Sequence, residues 1–363
     1  MIVFWYHQTA NVTQATRHAS RFFAAFFILL VLTTSPSERL NAAEPLAADL
    51  VTDGQPIDVS SSRYRELFAE LQRDHQFSEE ELQRLFAGVK INRKVLELMD
   101  RQWEAKPYHQ YRPLFVTPKT IATGRKKMAE HEELLDRIEA EFGVDREVVV
   151  AIWGIESRFG THRGSFPVFE TLNTLFDAYP RRSTFFRTQL VHFLLLCREN
   201  QMDPMQIKGS YAGAFGQPQF IPSSLREYAV SFDDDDITDV FNSIEDVFAS
   251  IANYLKRFHW TLDAPIYVDI GPELNSAELI AALQKGRKGK VEVALVSADQ
   301  GVNLPESPDN RKVIIVGLEL APFEGGGFRY VAGYPNFQAI IEWNHSSRYA
   351  MAVAELAEAI KAE

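Results

Sequence analysis

The chain has 363 residues, of which 46% are hydrophobic and 24% are charged, so it is long enough for one large core or for two or three domains. Its formal net charge of −11 argues against a nucleic-acid-binding protein. It has one cysteine, Cys197, which excludes a disulfide within the chain, and the apolar neighbours of Cys197 predict a packed side chain rather than a nucleophile.

The N-terminal 43 residues have the pattern of a secretory signal. Arg17 and Arg21 precede the uncharged, apolar run FFAAFFILLVLTT, and small residues follow it. The run is short for a membrane span, which needs about 20 residues. We therefore expect export to the periplasm of a Gram-negative bacterium, with cleavage after Ala42 or Ala43 or with residues 1–43 kept as an uncleaved anchor. No cysteine lies near the cleavage point, so the sequence does not predict a lipoprotein.

Residues 44–143 are predicted to form a helical N-terminal region. Ser78 followed by Glu81 fits a capping box at a helix start. Thr117 and Pro118 fit the cap and first turn of another helix, which the pattern extends to Gly143.

The remaining chain is predicted to fold as a mainly α protein of the α+β class. Residues 144–260 are mostly helical and form the expected catalytic core. Residues 261–335 are predicted to form a small α/β insert, with strands PIYVDI, KVEVALV, KVIIVGLEL and FRYVAGY and one helix, SAELIAALQKG. Residues 336–363 are predicted to add a strand, QAIIEW, and a closing helix that returns to the core.

One predicted helix, within Val148 to Gly164, is apolar on nearly every side yet carries a glutamate. Helical spacing places Glu156 on the same stripe as Ile152 and Trp153, so its carboxyl is expected to be paired or partly desolvated. Desolvation raises the pKa of a carboxyl toward neutrality, which suits a general acid.

The boundaries of this helix and the alternative role of its glutamate are also predicted. Asp145 is the expected N-cap, and Gly160 is the expected stop. A glutamate near a helix end is more often an ion-paired surface residue, and Arg158 and Arg163 are the candidate partners.

A second candidate segment is the loop KGSYAGAFGQPQFIPSS. Its glycines permit tight turns and close backbone approach. Hydroxyl and amide groups suited to bonding sugar hydroxyls and acetamides come from Ser210, Tyr211, Gln217 and Gln219. The alternative is a purely structural loop.

An acidic segment, SFDDDDITDVFNS, alternates oxygen-bearing side chains as the first half of a calcium loop does. Its sixth position is Asp236 rather than glycine, and its twelfth is Asn242 rather than glutamate. We interpret it as a solvated acidic turn, with calcium bound at Asp233–Asp239 as the weaker alternative. The histidines show no zinc-ligand spacing, so no metal site and no cofactor are predicted.

Several motifs together resemble the lytic murein transglycosylase B family, periplasmic enzymes that cleave peptidoglycan. GIESRFG resembles the catalytic motif of that family, GSYAGAFGQPQFIPSS resembles its glycine-rich segment, and DVFNSIEDVFASIANYLKRFHW resembles one of its helices. WNHSSRYAMAVAEL and AKPYHQYRPLFVTPKTI resemble two further segments. The likeness runs in unbroken order over about residues 65–363.

The resemblance implies a lysozyme-like α core with Glu156 as its sole catalytic carboxyl. Family positions that surround this glutamate and the bound sugars are matched by Ser210, Gln219, Tyr254, Asn344 and Tyr349, and the loop composition adds Tyr211. Trp343 stands where the family usually has tyrosine, and the acidic loop lacks the glycines of the calcium loop of the family.

The implied reaction cleaves the bond between N-acetylmuramic acid and N-acetylglucosamine and leaves 1,6-anhydromuramic ends. A lysozyme-type hydrolase is one alternative, and it would require a second carboxylate or a placed water. A non-catalytic peptidoglycan-binding protein is the other. The expected partners are glycan strands and, by association, cell-wall synthases, and we expect a monomer.

Overall fold

A computed structural model describes residues 46–362 except 102–105, 234, 236 and 306–310. The predicted signal segment, residues 1–43, lies outside the described residues. Within the described part, no helix has the length and apolar character that a membrane span requires.

The described residues are mainly helical, as predicted. Their helices are α1 Ser62–His75, α2 Glu79–Leu85, α3 Arg93–Met99, α4 Tyr108–Tyr111, α5 Pro118–Glu130, α6 Glu132–Phe142, α7 Arg146–Ser157, α8 Val168–Ala178, α9 Ser183–Glu199, α10 Pro222–Tyr228, α11 Ile244–Arg257, α12 Ala277–Lys285, α13 Val293–Gln300, α14 Pro335–Asn344 and α15 Ser347–Lys361. Their strands are β1 Phe166–Pro167, β2 Lys208–Gly209, β3 Tyr267–Gly271, β4 Lys290–Glu292, β5 Lys312–Glu319 and β6 Phe328–Gly333.

Local signals fix several helix starts in the N-terminal region. The hydroxyl of Ser78 accepts a hydrogen bond from the backbone N–H of Glu81 (3.1 Å), and that of Thr117 accepts one from Thr120 (3.1 Å). Both predicted caps are therefore confirmed. Each satisfies a backbone donor that the first helical turn leaves without a partner.

The single helix predicted from Thr117 to Gly143 is wrong. The chain leaves helical geometry at His131 (φ −121°), which separates α5 from α6. The His131 ring packs edge-on against Trp153 and Phe248, with ring centroids 6.2 and 5.5 Å away. The break therefore places an aromatic contact on the central helix, which spacing alone does not reveal.

Helix α7 lies at the centre of the main core. All its residues from Glu147 to Ser157 are buried, and it packs against α5, α6, α11 and α15. Burial on every side explains why its sequence has almost no polar face.

The small insert is built on an antiparallel sheet with strand order β3-β6-β5-β4. Alternate residues of β5 face two cores: Val313 and Ile315 pack with α12 and α13, whereas Ile314, Val316 and Leu318 join the main core. The sheet is thus covered on both faces, which anchors the insert to the helical body.

Two strand predictions in this region need correction. KVEVALV forms a strand only over Lys290–Glu292, and Val293–Gln300 is helix α13. QAIIEW is not a strand but part of helix α14, which has proline at its first turn. Its buried residues Phe337, Ile340 and Ile341 follow helical spacing, because this segment packs in the main core rather than in the sheet.

A network of charged groups holds the insert against the last helix. Arg329 of β6 forms a bidentate pair with Asp269 (2.5 and 2.7 Å) and also bonds Glu355 of α15 (2.5 Å). Glu355 bonds Arg112 as well, and its side chain is only 10% exposed. One carboxylate therefore joins the N-terminal region, the insert and α15.

We expect Glu355→Ala to lower the free energy of unfolding by about 2–3 kcal/mol, because it leaves two arginines without their shared, largely buried partner. Urea unfolding followed by circular dichroism measures the change. Glu97→Ala is the control, since Glu97 pairs with Arg93 and Lys94 at an exposed surface site and should cost less than about 1 kcal/mol. Equal losses in the two variants would show that the Glu355 network does not hold the insert.

Candidate active site

Glu156 occupies the last turn of α7. The helix ends at Ser157, three residues before the predicted stop at Gly160, because Arg158 and Phe159 adopt left-handed backbone (φ 49° and 56°). This turn folds the Phe159 ring back over the helix, edge-on to Trp153 at 5.4 Å. The chain reversal begins two residues after Glu156, so the carboxyl lies at the end of a rigid buried helix.

Asp145 occupies the N-cap position of α7, as predicted, but not through a side-chain cap. Its side chain makes no cap bond to the first turn of α7. Instead, it accepts hydrogen bonds from the Trp260 indole (2.7 Å) and from the backbone N–H of Asp263 (3.3 Å). The carboxylate thus ties the start of α7 to the chain that leaves α11, which fixes α7 at its far end.

The carboxyl of Glu156 is buried, with 5% of the residue exposed. Its Oε1 accepts hydrogen bonds from the Tyr349 hydroxyl (2.6 Å) and from the Trp343 indole N–H (3.0 Å). Burial raises the pKa of Glu156, and these two bonds act in the opposite direction because they favour the ionised form. Burial prevails, so the carboxyl keeps its proton to a higher pH than an ordinary glutamate.

Arg158 and Arg163, the predicted partners of Glu156, contact other groups. Arg163 donates from Nε to the carbonyl oxygen of Gly160 (3.0 Å), and Arg158 lies 3.4 Å from the His162 ring. The ion-paired interpretation of Glu156 through these two arginines is therefore wrong.

Tyr349 is positioned by the start of α15. The Ser346 hydroxyl accepts a hydrogen bond from the backbone N–H of Tyr349 (3.2 Å) and caps the helix. The Tyr349 ring is fully buried, and burial together with the adjacent Glu156 raises its pKa well above the usual range. Tyr349 therefore stays protonated and acts as a donor to the carboxyl.

Trp343 is the site residue whose contact sequence reasoning missed. It was noted only as a departure from tyrosine, although its ring packs against Phe220 (centroids 4.9 Å apart) and Tyr254 (4.7 Å). The Tyr254 hydroxyl in turn donates to the backbone carbonyl of Glu342 (2.7 Å), which fixes the end of α14. The signal available in the sequence was that Trp343, an aromatic hydrogen-bond donor, stands at a position where the family usually has tyrosine.

The glycine-rich loop uses its polar groups mainly on itself and on α7. Ser210 Oγ accepts bonds from the N–H groups of Ala212 (3.2 Å) and Ala214 (3.3 Å). The Gln219 amide donates to the carbonyl oxygens of Gly216 (2.7 Å) and Arg163 (3.3 Å). These contacts support a structural role for Ser210 and Gln219, and their contact with sugars stays a prediction.

The same loop is fitted closely to the end of α7. Gln217 accepts a bond from the Trp153 indole (2.8 Å), and a Cβ on Gly160 would lie 2.3 Å from Gln217 Oε1. A Cβ on Gly164 would lie 2.0 Å from the backbone of Gly209. Both glycines therefore permit a backbone approach that brings the loop beside the glutamate, and Tyr211, half-buried, lies in the same loop.

Asn344 has the least satisfied side chain of the candidate site residues. It is 3% exposed, and within the described part of the chain neither its amide nitrogen nor its amide oxygen has a hydrogen-bond partner. A buried amide is normally satisfied, so an unpaired one at a site points to a ligand. Asn344 follows directly after Trp343, which places it beside the carboxyl contacts.

Asp239 and Asp246, the latter just after the acidic segment, bond the backbone of the turn. Asp239 Oδ1 accepts bonds from the N–H groups of Phe241 (2.8 Å) and Asn242 (3.0 Å), and Asp246 accepts two more backbone bonds. These carboxylates therefore stabilise the turn itself. Among residues 46–362, with the gaps stated above, no three metal-binding side chains form a group suited to an ion.

Comparison with known proteins decides the family. The Transglycosylase SLT domain family matches residues 60–358. This protein belongs to that family. The resemblance to lytic murein transglycosylases is thereby confirmed.

Relatives agree with this assignment. The protein is 34% identical over 298 residues to membrane-bound lytic murein transglycosylase B of Escherichia coli, covering 79% of each chain. A structure of Escherichia coli lytic transglycosylase Slt35 with calcium superposes with a TM-score of 0.73 at 31% identity, covering 84% of this chain and 95% of that one. Pseudomonas aeruginosa SltB3 in complex with NAG-anhNAM-pentapeptide gives 0.68 at 30% identity, covering 82% and 79%. The lysozyme-like α fold is thereby confirmed.

We expect Asn344→Leu to leave this transglycosylase as stable as the wild type, or more stable by about 1–2 kcal/mol, because it removes an unsatisfied buried amide. Its lytic activity should fall. Asn336→Leu is the matched control, since Asn336 is equally buried in α14 but bonds Thr261 and Ala264. It should lose about 1–3 kcal/mol in urea unfolding. A similar loss for both variants would mean that Asn344 has a structural role.

We expect the stabilising effect of Glu156→Gln to grow with pH. Folding raises the pKa of Glu156, so the folded protein holds a proton that the unfolded chain releases, and wild-type stability falls as pH rises between the two pKa values. Glutamine has no such titration, yet its carbonyl accepts the same two bonds. Urea unfolding at about pH 4 and pH 7 measures the difference between the two proteins. A constant or shrinking difference would contradict a raised pKa.

Proposed function

We propose that the protein is a lytic transglycosylase that cleaves the β-1,4 bond between N-acetylmuramic acid and N-acetylglucosamine in peptidoglycan. Glu156 is proposed as its single acid and base. The observation that carries the proposal is the buried carboxyl of Glu156, whose pKa burial raises and whose Oε1 is held by Tyr349 and Trp343.

The first step uses Glu156 as a general acid. Its proton passes to the glycosidic oxygen, the bond from that oxygen to C1 of the muramic acid breaks, and N-acetylglucosamine leaves with a new hydroxyl. The acetamide at C2 of the muramic acid stabilises the positive charge that develops at C1, as in substrate-assisted glycosidases. The raised pKa of Glu156 supports this step, because it keeps the proton available near neutral pH.

The second step uses the same residue as a base. The ionised Glu156 takes the proton from the 6-hydroxyl of the muramic acid while that oxygen bonds to C1 and closes the 1,6-anhydro ring. The proton returns to Glu156, and no water is consumed. Tyr349 and Trp343 stabilise the intervening carboxylate, because hydrogen bonds to an ionised group are stronger than those to a neutral one.

Hydrolysis of the lysozyme type is the alternative product chemistry. It would use a second carboxylate or a placed water, whereas the two side chains that bond Glu156 Oε1 are a phenol and an indole. The relative SltB3 has been solved with an anhydro-muramic ligand, which supports anhydro ends for this family member too.

Substrate binding is proposed for the residues around the carboxyl. The partly exposed face of Trp343, packed on Tyr254, offers a surface for a sugar ring, and the buried amide of Asn344 offers donors and an acceptor for an acetamide. Ser210, Tyr211 and Gln219 are proposed to bind the sugars as well.

Glu156→Gln should lose catalysis by a factor of about 10² to 10⁴ or more, since it keeps the shape but has no transferable proton. Purified protein is incubated with peptidoglycan and the soluble products are weighed by mass spectrometry. Wild type should release muropeptides with anhydro ends, which are lighter by one water molecule than hydrolytic products.

Glu147→Gln is the matched control, because Glu147 lies on the same helix, pairs with Lys361 (2.6 Å) and should keep wild-type activity. Hydrated ends would support a hydrolase instead. Near-full turnover by Glu156→Gln would refute the assignment of Glu156, and intact binding with no soluble product from the wild type would support a non-catalytic peptidoglycan-binding protein.

The location that fits this activity is the periplasm. Export by residues 1–43 is proposed from their signal-like pattern, and the Escherichia coli relative is named as membrane-bound. Association with cell-wall synthases and a monomeric state stay predictions. Calcium is not proposed, because the carboxylates of Asp239 and Asp246 are used by the turn.

A further inference from the structure

We propose that Trp343 is a positioning residue that assigns different roles to the two oxygens of Glu156. In this arrangement Oε1 is the permanent acceptor, and Oε2 carries the proton to and from the substrate. The inference rests on the proposed function of Glu156 and adds the atom through which that function works.

The geometry at Oε1 carries the argument. The Tyr349 hydroxyl (2.6 Å) and the Trp343 indole N–H (3.0 Å) converge on this one oxygen from two different helices, α15 and α14. In a protonated carboxyl, one oxygen bears the hydrogen and the other is the better acceptor. A hydrogen on Oε1 would face the donor-only indole and would require the Tyr349 hydroxyl to accept instead of donate, so the proton is favoured on Oε2.

The indole strengthens this preference for Oε2. A tyrosine hydroxyl can donate or accept, so a tyrosine at position 343 could accept a hydrogen bond from a protonated Oε1. The indole N–H of Trp343 can only donate and does not ionise in the physiological range. Replacement of the family tyrosine by tryptophan therefore removes one of the two hydrogen-bonding arrangements.

Packing keeps the indole in place. Phe220 lies tilted against the Trp343 ring at 4.9 Å, and Tyr254 meets it edge-on at 4.7 Å. Tyr254 also holds the Glu342 carbonyl, one residue before Trp343. A ring fixed on two sides and at its backbone holds its N–H in one direction, which a positioning residue requires.

Other titratable groups face this arrangement from neighbouring elements. On α14, Glu342 pairs with Arg287 of the insert (3.2 Å). His345, the C-cap residue of α14, lies 2.8 Å from the same guanidinium. Burial, with Arg287 and Arg182 nearby, lowers the pKa of His345 to about 4. His345 is therefore neutral through the range in which Glu156 is proposed to titrate.

Three tyrosines complete this set. Tyr349 bonds the carboxyl, and Tyr254 of α11 and Tyr111 of α4 lie close enough to raise the pKa of Tyr349. Burial is the main cause of the raised pKa of Tyr254. The phenols of Tyr349 and Tyr254 thus stay protonated, and Glu156 is left as the group whose charge changes beside the indole.

The test follows the indole N–H of Trp343 by NMR in the full chain labelled with 15N-tryptophan. The chain has five tryptophans, and the peak that Trp343→Phe removes identifies Trp343. We expect this peak to shift with pH, with a midpoint above the ordinary pKa of glutamate, and to stop shifting in Glu156→Gln.

Two other indoles are internal controls. Trp153 donates to the neutral amide of Gln217 (2.8 Å), so its peak should not follow a carboxyl. Trp260 donates to Asp145 (2.7 Å), so its peak should titrate with Asp145 and be unchanged by Glu156→Gln. A Trp343 peak that ignores pH, or that titrates equally in Glu156→Gln, would overturn the inference.

A pH profile supplies the functional readout. Trp343→Phe keeps an aromatic ring but removes a donor that favours ionised Glu156, so the pKa of Glu156 rises and the alkaline limb of kcat/KM should move to higher pH. Trp343→Tyr, which can restore a donor, should move the limb less. If the alkaline limb of kcat/KM in Trp343→Phe stays at its wild-type pH while Glu156→Gln is inactive, the inference is refuted but the proposed function is not. An active Glu156→Gln would refute the proposed function itself.

Discussion

The site depends on one buried carboxyl that receives two hydrogen bonds from a part of the chain almost two hundred residues away. Burial favours the protonated form of Glu156, and the bonds from Tyr349 and Trp343 favour the ionised form. A group that must both give and take a proton needs neither form to dominate strongly. The opposition of these two effects is therefore what the proposed use of Glu156 as acid and then as base requires.

Further contacts in the fold hold Glu156, Trp343 and Tyr349 together. The turn between α14 and α15 places Trp343 and Tyr349 on one oxygen, and Ser346 caps the second helix within that turn. Helix α15 is in turn held by Glu355, which reaches the insert through Arg329. The sheet of the insert also packs on the main core. The insert therefore stabilises the position of α15, which carries Tyr349.

Sequence reasoning predicted the parts of this arrangement that local patterns encode. The buried helix that carries Glu156, the caps at Ser78 and Thr117, and the mainly α class all follow from periodicity and capping residues. The family resemblance named Tyr349. The contact of Trp343 with Glu156 was not predicted, because an indole near a helix end looks the same in sequence whether it packs or donates.

The errors have a common physical cause. QAIIEW has β-branched residues that suit a strand, yet the core it meets is helical, so it folds as part of α14. Gly160 has the residue type of a helix stop, yet α7 ends earlier, where the Phe159 ring folds back over the helix. Asp145 is the N-cap residue, but its carboxylate bonds the Trp260 indole rather than the first helical turn. Local preference was overridden wherever a buried long-range contact was available.

The same site contains features that cost stability, although such features also occur elsewhere in the described chain. Left-handed backbone at residues other than glycine occurs next to Glu156, at Arg158 and Phe159, in the glycine-rich loop at Gln219 and directly after Asn344 at His345. Burial of the Glu156 carboxyl and of the Asn344 amide, which has no partner in the described part of the chain, also costs folding free energy. A buried carboxyl, an unsatisfied amide and strained backbone in adjoining segments are typical of selection for a reaction rather than for stability. The glutamate, the amide and the turns around them are therefore best understood as one unit, which a bound glycan strand would satisfy.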